Sequence, residues 1–171
     1  MASLPTDDLS PSDADVAVRS FPRRFRGVLA RPEPERGEDA PADPDELARR
    51  VGPEGRSAAD HLLAADGVLA LLDRALEQVR GDDDPVLDPA VGDLRSARWD
   101  DEHTPLPALL DQLEQTAGRC ADRIDAVPTD DWGRQARVGD ATVAVIQMLR
   151  EAVDVVAGHL RSAERTIAAV R

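Results

Sequence analysis

Two histidines are the most promising chemical groups in this sequence. His61 immediately precedes Leu62 and His159 immediately precedes Leu160, and both leucines belong to apolar seams of helical period. At about 100° per residue, each histidine lies about 80° from the centre of its seam, on a flank from which a side chain still reaches the core. Two imidazoles on neighbouring helices can converge on one metal ion or one polar substrate. The same spacing also suits two half-buried histidines that each bond a backbone carbonyl or a carboxylate, and the pattern leaves both uses open.

The other reactive side chains have plainer readings. Cys120 falls on an apolar seam, which points to burial as a small apolar residue in place of a reactive thiol. His103 follows Trp99-Asp100-Asp101-Glu102 and reads as a solvated loop residue. Trp99 and Trp132 lie outside the seams, at positions suited to covering an end of the helices or lining a pocket mouth. The chain contains no GxGxxG, P-loop, GxSxG, HExxH or CxxC motif, so the usual signatures of nucleotide-binding and covalent-nucleophile enzymes are missing.

Four stretches with apolar residues spaced alternately by three and four must position these groups. The strongest runs Ile146, Leu149, Val153, Val156, Leu160, Ala163, Ile167 and Val170, predicting a helix over 141–169 with Asp140 or Thr142 as its cap. A helix over 57–80 carries Leu62, Ala65, Leu69, Leu72, Leu76 and Val79, opens on the capping box of Ser57 and Asp60, and stops at Gly81. One over 105–127 carries Leu106, Leu110, Leu113, Ala117, Cys120, Ile124 and Val127, between Pro105 and Pro128. A weaker helix over 13–30 carries Val18, Phe21, Phe25 and Val28, with Ser10 to Asp13 as its cap and Pro22 expected to kink or split it.

Residues 31–55 read as a long surface crossing with at most a short turn at Asp45 to Arg50, and 81–104 as a second irregular connection. No strand-like alternation is bounded by turn signals. The expected class is all-α, a single domain over 1–171 built as an antiparallel four-helix bundle with long crossovers.

Composition narrows the partners. All 21 positive side chains are arginine against 34 acidic ones, a formal net charge of -13 that repels phosphate backbones and anionic lipid. Arg23, Arg24 and Arg26 form the most basic cluster, which a solvated helix face explains as well as a nucleic-acid footprint does. With one cysteine, a polar acidic start and no apolar run of about 18 residues, the expectation is a soluble cytoplasmic protein binding neither nucleic acid nor membrane.

Helix two with Ser57 and His61, the segment Ala126-Val127-Pro128-Thr129-Asp130-Asp131-Trp132, and the ending Leu149 to Arg165 together resemble the DinB-like superfamily, which includes the actinobacterial mycothiol-dependent maleylpyruvate isomerase N-terminal domains. The similarity runs from about Val16 to Val170. It implies a four-helix bundle and, in many members, a divalent metal held by one histidine on the second helix and two, spaced by four residues, on the last. His61 matches the first and His159 the last. Val155 stands where the third belongs and cannot bind a metal; a register shifted to Asp154 and Gly158 also loses a ligand. Asp154 lies about 140° around the helix from His159, near the outward face.

The resemblance therefore implies a degenerate site with His61 and His159 as metal ligands, no tightly bound metal, and Zn, Ni or Fe as the candidate ions. The activity it suggests is metal-dependent thiol transfer or isomerisation on a small molecule bound between helices two and four. The alternative is a non-catalytic small-molecule-binding or homodimeric interaction protein, using Val143, Val155 and Ala157 as an added apolar contact.

Overall fold

The computed structural model describes residues 8–29, 43–96 and 103–170. Helices α1 (Pro11–Leu29), α2 (Pro44–Arg49), α3 (Ala58–Gly81), α4 (Leu106–Asp125) and α5 (Val145–Val170) make up most of them. The four long helices enclose one core: α1 packs on α4 and α5, and α3 packs on the same two. That core includes Phe21, Phe25, Leu62, Leu69, Leu72, Leu113, Leu149, Val156 and Leu160. The chain is mostly helical, as expected.

Local chemistry sets the helix ends. Ser10 Oγ accepts from Asp13 N at 3.1 Å and starts α1, which runs unbroken through Pro22, whose ring is buried in the core. The expected split is thus absent. Ser57 and Asp60 form the expected capping box of α3, at 3.1 and 2.7 Å. Pro105 gives α4 no side-chain cap; Asp45 of α2 supplies the acceptor instead, taking a bond from Leu106 N at 2.6 Å. Arg49 donates to Thr104 O beside it, so the six-residue α2 fastens the entry to α4.

A small sheet departs from the all-helical expectation. Strands β1 (Val86–Leu87), β2 (Gln135–Val138) and β3 (Ala141–Ala144) lie in that order, β1 parallel to β2 and β2 antiparallel to β3. Val138 pairs with Ala141 across the two-residue turn Gly139-Asp140. Gly139 has φ +60°, the left-handed conformation that a tight hairpin of this kind needs at its first central residue. Asp140 and Thr142, expected to cap the last helix, are instead in that turn and in β3, and α5 begins at Val145. Arg134 joins sheet to helix, donating to Val79 O at 3.1 Å and Asp82 O at 2.6 Å at the end of α3.

Among the described residues, no helix is long and apolar enough to cross a membrane.

Candidate two-histidine site

The capping box fixes the first turn of α3, and His61, one turn in, is 4% exposed. Opposite it stands His159 of α5, half-buried. The two Nδ1 atoms are 3.3 Å apart, with ring centroids separated by 5.5 Å and planes tilted by 40°. The structure thus brings together the two histidines chosen from the sequence.

Both rings are held neutral. Burial lowers the pKa of His61, and the positive charge of Arg56 pushes the same way. His159 is lowered to about 4, first by burial, then by His61, then by Arg56 and Arg95. With one proton on each ring, one Nδ1 donates and the other accepts, or both lone pairs turn to a shared ion. His61 Nε2 is buried without a hydrogen-bond partner among the described residues. Where buried polar atoms are normally paired, an orphan of this kind marks a place that something else completes or a tautomer under tension.

The surroundings are mostly charged. Arg165 pairs with Glu54 at 3.4 Å, and Arg95 pairs with Asp154 at 2.6 Å. That pairing turns Asp154 to Arg95 and away from the role of third ligand. The loop leading into α3 passes close to α5: Val51 bridges to Ser57, and a Cβ on Gly52 would come within 2.9 Å of Thr166 Cγ2, so only glycine lets the backbone approach there.

The donor set suits a divalent ion only in part. Two nitrogens about 2.05 Å from a tetrahedral zinc stand about 3.3 Å apart, the separation found here. Neutral imidazole is also the ligating form. However, no group of three His, Cys, Asp or Glu side chains converges among the described residues. Val155, one turn before His159, is 4% exposed within the apolar core.

The remaining sequence candidates lie elsewhere. His103 is exposed ahead of α4. Cys120 is fully buried, and burial pushes its thiol up to about 12, as its place on the seam implied. Trp132 is buried against the core, while Trp99 lies outside the described residues. Cavities of 350 and 280 Å³ open along α4, the first against α1 and the second against α1 and α2, and neither is lined by His61 or His159. Of the three residues expected to form an apolar contact surface, Val155 is buried, and Val143 and Ala157 are half-buried against the core. They do not form an outward apolar face.

Arg56 is the residue near this site that sequence reasoning missed. It immediately precedes the cap of α3, and its proximity to the imidazoles depends on the bend of residues 51–57, for which no spacing rule gives a signal. No family model matches the chain, and no curated protein matches it either.

Proposed function

We propose that this protein is a DinB-like antiparallel four-helix bundle with long crossover connections, and that His61 and His159 are its ligands to a weakly held divalent ion, Zn, Ni or Fe. The observation that carries the reading is the 3.3 Å separation of the two Nδ1 atoms, which matches one edge of a tetrahedral nitrogen site. The resemblance of the sequence around His61 and His159 to that superfamily, and the way four long helices share one core, support the fold part of the reading.

The protein's own contribution is positional. The capped first turn of α3 fixes His61, α5 presents His159 across from it, and burial keeps both rings free of the proton that would compete with an ion. Two ligands leave coordination positions for water and for a small thiol. When bound, the ion supplies Lewis-acid stabilisation of a thiolate, the chemistry needed for thiol transfer or isomerisation. The missing third ligand and the cation Arg56 make the affinity low.

Calorimetric titration with zinc and nickel tests this. Wild type should bind one equivalent weakly, and His159→Ala should abolish binding. Val155→His should tighten it by at least about tenfold, because residues 155 and 159 share a helix face one turn apart. Wild type that binds neither ion sinks the metal reading and leaves the non-catalytic alternative, whose dimeric form sedimentation would reveal.

A further inference from the structure

Five arginines among the described residues are half-buried, and four of them are paired. Arg49 bonds Asp45, Arg123 bonds Asp73 and Glu77, Arg134 bonds two carbonyls at the end of α3, and Arg150 bonds Leu9 O. The fifth, Arg56, makes no ion pair or side-chain hydrogen bond among the described residues. A guanidinium taken partly out of water without a partner is costly, because the hydration it gives up is not replaced. Yet the acids closest to it in sequence are engaged: Glu54 with Arg165, and Asp60 in the capping box.

The Arg56 carbonyl accepts from Gly52 N at 2.9 Å, where Gly52 lies against Thr166 of α5, and from this bend the Arg56 charge acts on both imidazoles. His159 is half-buried, and its Nε2 has no protein partner among the described residues. If His61 donates from Nδ1, His159 carries its proton on Nε2 and presents an N–H. An uncommitted guanidinium whose charge reaches an imidazole N–H forms, with it, a donor set for an oxyanion.

Resting on the reading of the His61–His159 pair as the functional site, we infer that this site takes a ligand bearing an oxyanion group, a carboxylate or a phosphate, held by Arg56 and by the Nε2–H of His159. Binding selects the tautomer in which His159 carries its proton on Nε2, the same tautomer that leaves its Nδ1 lone pair for an ion. It also neutralises the cation that opposes a metal at the same place, so an anionic ligand and a divalent ion assist each other.

Nuclear magnetic resonance titrations with inorganic phosphate and with acetate, at constant ionic strength against a chloride control, test the inference. The wild-type protein should show saturable shifts in the His159 ring and the Arg56 guanidinium. Arg56→Gln should weaken the binding at least about tenfold, Arg56→Lys should retain part of it, and Arg24→Gln, an exposed change on α1, should leave it unaltered. Preference for phosphate identifies a phosphate monoester as the source of the oxyanion, and preference for acetate a carboxylate. Absence of saturable shifts with both anions, or unchanged binding by Arg56→Gln, overturns the inference.

Zinc titration of the same variants keeps the two readings apart. Arg56→Gln should hold zinc at least as well as wild type. Anion binding without zinc binding removes the metal reading alone, and zinc binding without anion binding removes this one alone.

Discussion

Burial holds the His159 imidazole well below its ordinary value of 6.5, at about 4, and shifts His61 the same way. Between the two values the unfolded chain binds more protons than the folded one, so stability rises with pH across this window. The stabilising contribution is whole above about pH 6.5 and is lost as pH falls towards 4. Partial exposure of the ring to solvent reduces the size to about 2 kcal/mol, or several degrees of melting temperature. Melting followed by circular dichroism from pH 7 to 5 should therefore show a decline that His159→Gln largely removes. An equal decline in both would mean that the His159 ring is not buried in solution. Cys120 makes a separate prediction at the same scale: with the thiol buried and raised to about 12, a disulfide exchange reagent at pH 8 should leave it unmodified until the chain is unfolded. Prompt reaction of the native protein would contradict the packing of α4.

At the scale of elements, Leu69 of α3 and Leu160 of α5 are both 0% exposed in the shared core. Leu69→Ala and Leu160→Ala should each cost about 2–5 kcal/mol in denaturant unfolding, through lost transfer energy and an unfilled cavity. Midpoints unchanged from wild type would refute the packing. These seams were legible in the sequence because a helix that buries one stripe writes a period near 3.6 into its apolar residues. Val155 falls off the seam for an equally physical reason. The helix carrying it touches both α1 and α3, so its buried stripe is wider than a single line of threes and fours. The strands left no comparable trace, since Val86–Leu87 has two residues and Gln135–Val138 and Ala141–Ala144 four each, too few for alternation to stand out. Of the candidate site, the two histidines could be read from their positions beside Leu62 and Leu160, whereas Arg56 could not, because its place depends on how a bend closes against α5.

For the whole molecule, the governing quantity is the charge of -13 and its distribution. The basic cluster on α1 looks, in sequence, like the start of a phosphate-binding face. In the folded protein Arg26 turns to Asp111 and Glu114 of α4, at 3.1 Å each, and Arg19, one or two turns earlier, meets Asp15, Asp122 and Asp125 at 2.9–3.2 Å. Exposed pairs of this kind add little stability, but they surround each guanidinium with more negative charge than it carries. A phosphate approaching α1 would have to displace carboxylates that are already bonded, inside a field that repels it from a distance. Arg23 and Arg24, exposed and without ion pairs among the described residues, are too few to reverse that field. Affinity for duplex DNA comes mainly from counterions released by clustered cations, so a protein without such a cluster should have almost none. In a fluorescence polarisation assay with a labelled duplex at about 0.15 M salt, no binding should be seen up to the highest protein concentrations used. Lowering the salt should not bring it in, because the long-range repulsion grows as screening is removed. Salt-sensitive binding tighter than about 1 µM would mean that an arginine surface away from α1 offsets the acidic field.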